Sequence, residues 1–178
     1  DPTHTYKVFI AMRYWHPFSE ETVSAVQAFD PDEILLLPLY PQYSTATSAS
    51  SFTDWKKAAA KAGLVKPTYT LCCYPVDENW ATAQSDLLRA QIDTLEKEQK
   101  YRVLFSAHGL PKKIVDRGDP YQWQVERSAE GIAKVADLTE DAWTVCYQSR
   151  VGPLEWIGPS LDDELKRAAE DDVAVIVL

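Results

Sequence analysis

The chain has 178 residues, with 18 Lys and Arg against 27 Asp and Glu, giving a net charge of -9. Hydrophobic residues at 46% and charged residues at 25% are ordinary globular composition, which excludes a disordered or fibrous chain. So acidic a chain has no global basic field to attract nucleic acid, and no run approaches the roughly 18 apolar residues of a membrane span.

The opening residues, DPTHTYKVFI, do not have the form of a signal peptide. The three cysteines, Cys72, Cys73 and Cys146, lie in apolar runs without CxxC spacing, as expected for reduced thiols of a cytoplasmic protein. Residues 7–12 (KVFIAM) predict a first strand, and residues 19–29 an amphipathic helix with Ser19 or Thr22 as its cap and acids in the first turn. Residues 33–40 (EILLLPLY) predict a second strand, and residues 47–62 a helix stopped by Gly63. A third strand is expected at 67–73, then a helix from Asp77 to about Lys100 on the spacing of Leu87, Leu88, Ile92 and Leu95. Strands at 101–107, 143–148 and 173–178 alternate with helices at 120–135 and 160–170.

Short, continuously apolar strands alternating with longer helices point to an α/β fold with parallel sheets. The charged run EKEQK at 96–100 suggests a seam, dividing the chain into residues 1–98 and 99–178, each part of one α/β domain. The sequence finishes inside a strand at Leu178. Parallel α/β proteins bind ligands beyond the carboxyl ends of their strands, so an incomplete portion of a longer protein is expected.

Polar and aromatic residues gather after those expected strand ends: Arg13, Tyr14, Trp15 and His16 after the first, Tyr43 and Ser44 after the second, and Tyr74 after the third. His108 and Gly109 follow the fourth, and Ser149 and Arg150 the fifth, with Trp156 close behind. A flat aromatic ligand with a few polar groups suits such a rim. His4 at a terminus and His16 before Pro17 read as structural or idle.

FSAHGLP (105–111), RGDPY (117–121) and YQSRVGPLEW (147–156) occur in that order, with MRYWHPF (12–18) and LYPQYS (39–44) upstream. Together they resemble the ferrochelatase family, and more closely its protoporphyrin-using members, over nearly the whole chain. The resemblance implies two similar parallel-sheet, Rossmann-like chelatase domains with helices on both faces and a porphyrin cleft between them. It further implies that ferrous iron is inserted into protoporphyrin IX to form protohaem, the last step of haem biosynthesis. A catalytic Glu is expected in a loop beyond Leu178. The alternative is a non-catalytic tetrapyrrole-binding protein of the same fold.

His108 matches the family's active-site histidine, either as the base that takes pyrrole protons or as a ligand of the entering metal. A neutral imidazole is suited to both. The resemblance also places Arg13, Tyr14, Tyr43, Ser44, Tyr121, Gln148, Ser149 and Trp156 along the porphyrin. Each has a plainer reading too: an ion pair for Arg13, core packing for Trp156, and helix initiation at Pro120 for the Tyr121 stretch. Iron is a substrate here and no cofactor is expected. Some members carry an iron–sulfur ligand after PQYS where this chain has Thr45, so a cluster of that pattern is not expected. Some also carry a histidine early in the third helix, where this chain has Trp80, Ala81, Thr82, Ala83 and Gln84. The partners implied are protoporphyrin and ferrous iron, with no nucleic acid and no transmembrane span, and with peripheral membrane contact left open.

Overall fold

The computed structural model describes residues 3–96 and 98–178. The chain is α/β with parallel sheets, and it divides into two compact units, Asp1–Cys73 and Tyr74–Leu178.

The first unit runs α1 (Ser19–Phe29), β1 (Ile34–Leu36), α2 (Ser48–Ala62) and β2 (Thr68–Thr70), with β1 and β2 paired in parallel. Val23 and Val26 of α1 and Trp55 and Ala58 of α2 bury against Ile34. Leu35 and Tyr69, on the other side of the strand pleat, are exposed. Gly63 ends α2 in the left-handed region at φ 69°, where a glycine bears no Cβ penalty.

Three expectations fail in this unit for identifiable reasons. Residues 7–12 form no strand, because β1 is paired with β2 alone; the segment is tied instead by Thr22 Oγ1 donating to the Ile10 carbonyl at 2.6 Å. Neither Ser19 nor Thr22 caps α1. The cap is Phe18, whose backbone N–H donates to Glu21 Oε2 at 3.0 Å, while Ser19 Oγ donates to Asp54. β1 stops at Leu36, two residues short of Pro38, which has no N–H to give to a ladder.

The second unit contains α3 (Glu78–Ile92), β3 (Tyr101–His108), α4 (Lys112–Val115), α5 (Tyr121–Val135), β4 (Trp143–Gln148), α6 (Leu161–Glu170) and β5 (Ala174–Val177). The strand order is β4-β3-β5, all parallel, with β3 central. Strand alternation sorts its side chains onto two faces. Val103 and Phe105 pack with Ala81 and Leu88 of α3 and with Ala129, Ile132 and Ala133 of α5. Leu104, fully buried, points to the opposite face, and α6 packs against all three strands.

Helix α3 therefore belongs to the second unit, and the division falls after Cys73 instead of at residues 98–99. The helix also ends at Ile92, eight residues before Lys100. Thr94 turns its hydroxyl back to the Gln91 carbonyl at 2.7 Å, a local bond that competes with helix continuation. The expected seam at 96–100 includes Lys97, which lies outside the described residues. Among the described residues no helix is long and apolar enough to cross a membrane.

Leu88 is fully buried in the cluster that joins α3 to β3 and α5. Leu88→Ala should cost about 2–5 kcal/mol in chemical denaturation. Faster amide exchange should spread through β3 and α5 and leave α1 and α2 unchanged. Exchange rising in α1 and α2 instead would contradict the placement of α3.

Candidate active site

The second unit builds its site at the carboxyl ends of β3 and β4. His108 and Gln148 are register partners there, and the ladder is carried one step further by Gly109 N–H donating to the Gln148 carbonyl at 2.8 Å. Both side chains are exposed. Ser149 follows with φ at 61°, a left-handed conformation uncommon outside glycine that turns the chain sharply out of β4. The loop then folds back along β3. Ile157 N–H donates to the Leu110 carbonyl, Lys112 N–H to the Glu155 carbonyl, and Tyr147 N–H to the Pro159 carbonyl, at 3.0, 2.9 and 2.9 Å. Lys112 Nζ meets Glu155 Oε1 at 2.8 Å, and that carboxylate raises the lysine pKa.

Trp156 closes this arrangement from beneath. Its ring lies beside Gly109, where an added Cβ would fall 3.3 Å from Trp156 Cε3 and 2.9 Å from the Gln148 carbonyl oxygen. The indole Nε1 is buried without a hydrogen-bond partner. Gly109 is thus required by close approach rather than by its backbone angles. Tyr121 packs half-buried beside Leu110, Val125 and Tyr147, and its N–H donates to Asp119 Oδ1 at 3.0 Å. The structure accordingly gathers His108, Gln148, Ser149 and Trp156 at one strand-end rim and puts Tyr121 in the adjoining core cluster.

The other four candidates lie in the first unit. Arg13 donates from Nε to Ser50 Oγ at 3.1 Å, pairs with Asp54 at 3.7 Å and covers the Tyr14 ring at 4.9 Å. Its plainer reading, the ion pair, is therefore present. Tyr14 itself is 74% exposed. Ser44 is fully buried, with its Oγ accepting from the Ala46 N–H at 3.1 Å and its carbonyl accepting from the Thr47 and Ala49 N–H groups. It is a turn-forming residue ahead of α2, and Tyr43 beside it is half-buried. An open cavity of about 240 Å³ lies among Arg13, Ser50, Thr53, Asp54 and Lys57. That is below the roughly 300–1,000 Å³ typical of small-molecule sites.

A buried polar set that the sequence reading passed over lies on the α6 face of the second sheet. Ser106 and Cys146 are register partners, and Glu164 of α6, 1% exposed, lies near enough to Cys146 for its charge to act on the thiol. Burial first, and then the Glu164 charge, push the Cys146 thiol up to about 11, with the Ser106 hydroxyl opposing. The signal for Glu164 was present in the sequence: it shares the helical stripe of Leu161, Leu165 and Ala168. Among the described residues no three His, Cys, Asp or Glu side chains converge as a metal centre.

An exposed imidazole at the carboxyl edge of a parallel α/β sheet, backed by a folded-over loop, occupies the position at which α/β proteins of the doubly wound class bind ligands. The sequence model of ferrochelatase matches residues 1–178. The ferrochelatase of Caulobacter vibrioides (strain NA1000 / CB15N) is 49% identical over 172 residues, covering 96% of this chain and 48% of the relative. That of Phenylobacterium zucineum (strain HLK1) is 49% identical over 171 residues, covering 96% and 49%. That of Wolbachia pipientis wMel is 46% identical over 174 residues, covering 98% and 55%. The chain belongs to the ferrochelatase family, and it spans about half the length of the curated relatives it matches.

Two measurements check this geometry. Gly109→Ala forces its methyl against a backbone oxygen, so stability should fall by about 1–3 kcal/mol; an unchanged denaturation midpoint would mean the loop is looser than described. The raised Cys146 pKa makes a pH prediction. The folded thiol holds its proton above the unfolded value, so its stabilisation is present below about pH 9 and is lost as pH rises towards 11. Cys146→Ala should flatten part of the alkaline fall in stability, and an equally steep fall in the variant would contradict it.

Proposed function

We propose that the protein inserts ferrous iron into protoporphyrin IX to form protohaem, in the cytoplasm and without a resident cofactor. The observation that carries the reading is His108, exposed at the end of β3 beside Gln148, in a chain that belongs throughout to the ferrochelatase family. Metal insertion replaces two pyrrole N–H protons with one divalent ion. A group beside the ring must accept those protons, and a neutral imidazole does so near neutral pH. We assign His108 the role of base rather than metal ligand.

Gln148 and Ser149, exposed beside His108 in the second unit, are assigned to contact with the ring. Arg13, held by Asp54 and Ser50, keeps Tyr14 in place, while Ser44, Tyr121 and Trp156 support the loops that carry the contacts. The ring itself is bound mainly by burial of its apolar faces. Peripheral contact with a membrane surface is compatible with this reading.

In the full-length protein, His108→Ala should lower iron insertion by roughly 10²–10⁴-fold. Porphyrin binding, followed by fluorescence titration, should change little. A variant that binds porphyrin normally and inserts iron at the parent rate would make His108 structural. A parent protein that binds porphyrin and inserts no iron under anaerobic conditions would establish the non-catalytic binder instead.

A further inference from the structure

Cys72 and Cys73 follow β2 closely, in a stretch, residues 67–76, that carries no charged side chain. Leu71 N–H donates to the Leu36 carbonyl at 3.0 Å and extends the ladder by one bond past β2. In an extended strand neighbouring side chains point to opposite faces, which would hold two adjacent thiols apart. Beyond Leu71 the chain has left the strand, and the thiols of Cys72 and Cys73 are hydrogen-bonded to each other. Two soft donors therefore lie side by side. Cys72 is exposed and Cys73 half-buried, so the pair is open to solvent. Cys146, fully buried in the second unit, is no part of it.

Two other uses of such a pair fit less well. Adjacent Cα atoms are about 3.8 Å apart, whereas a relaxed disulfide needs roughly 4.4–6.8 Å, so a bond between these two sulfurs strains the backbone. Partial desolvation first, and then the neighbouring thiol, raise the Cys72 pKa, which works against a role as nucleophile. An ion between the sulfurs asks for less, because each sulfur approaches the ion instead of the other sulfur. The number and kind of donors then choose the ion. Among the described residues no third His, Cys, Asp or Glu joins the pair. Structural zinc sites take four protein ligands, and hard ions take oxygen donors such as carboxylates. Monovalent copper is soft, is selected by thiolates, and is satisfied by two of them.

We propose that Cys72 and Cys73 form a two-thiolate site for monovalent copper at the carboxyl end of β2. Binding breaks the two S–H bonds and forms two copper–sulfur bonds, and the two protons pass to solvent. Copper stays monovalent throughout, so the step needs no oxidant or reductant. The site does not depend on the iron-insertion reading and stands whether or not that reading holds.

The test titrates the full-length protein, reduced and under anaerobic conditions, with monovalent copper in competition with a coloured copper(I) chelator. We expect the parent to hold one more ion than the double variant Cys72→Ser, Cys73→Ser. That ion should bring a thiolate-to-copper charge-transfer band in the ultraviolet and release two protons, read with a pH indicator in weak buffer. Each single variant should bind it about 100-fold more weakly or worse, because the second thiolate acts at a high effective concentration. Cys146→Ala should leave the count and the affinity unchanged, and zinc should not displace the copper. Equal copper counts in the parent and the double variant would overturn the proposal. So would a single variant with the parent's affinity, release of one proton per ion, or zinc held as tightly as copper. Denaturation curves identify a double variant that loses the ion by losing its fold, and the single variants then decide.

Discussion

β3 is covered on both faces and flanked by parallel neighbours on both edges, and the second unit is arranged around that constraint. A strand so enclosed can satisfy its backbone groups only through the two ladders, with β4 on one edge and β5 on the other. Its side chains must then serve two different cores. The residues facing α3 and α5 are all apolar, and Leu88, Val103 and Phe105 interlock there. The opposite face admits Ser106 and Cys146 beneath α6. What emerges from the carboxyl end of this clamped strand is His108, so the exposed imidazole inherits the rigidity of the most buried strand in the unit.

The loop after β4 converts that rigidity into a defined position. Gly109 continues the ladder for one more bond while Trp156 fills the space that a side chain would have taken. The backbone at 108–109 is therefore fixed from two directions, by Gln148 and by the indole. A backbone held this way leaves the exposed imidazole little positional freedom.

Much of this was legible in the sequence where burial and periodicity agree. β3 and β4 fall within a residue of their expected ends, and α5 and α6 start at their expected signals, because continuous apolar runs bounded by Pro, Gly and Ser leave few alternatives. The expected strand at 7–12 and the long third helix failed where tertiary pairing or one side-chain bond decided the outcome: β1 offers its ladder to β2 alone, and Thr94 turns back on Gln91. At the candidate site, the strand-end placement of His108, Gln148 and Ser149 was legible from the apolar runs that precede them. The ion pair of Arg13 was among the expected readings; the turn that Ser44 closes and the contact of the Trp156 indole with Gly109 were not, since the sequence does not show that a Ser closes a turn or that an indole meets a glycine. Glu164 was missed because charged residues crowd α6, and only its place in the apolar stripe distinguishes it.

How a carboxylate persists at that place follows from the helix itself. Ser160 caps α6 by accepting from the Asp163 N–H at 3.1 Å, and Asp162, Asp163 and Glu164 fill the first turn. The positive end of the helix dipole is worth about 0.3–1 kcal/mol to an anion there, and up to about 2 where partly buried. Arg167 contributes an attraction of its own at 3.1 Å. Against these stands a burial cost of several kcal/mol, so the two sources offset it only in part. Arg167 Nη1 also donates to Oε2 at 3.4 Å, while Oε1 lacks a hydrogen bond. The same first-turn geometry that makes the charge tolerable thus holds it beneath the sheet, where it acts on the Cys146 thiol.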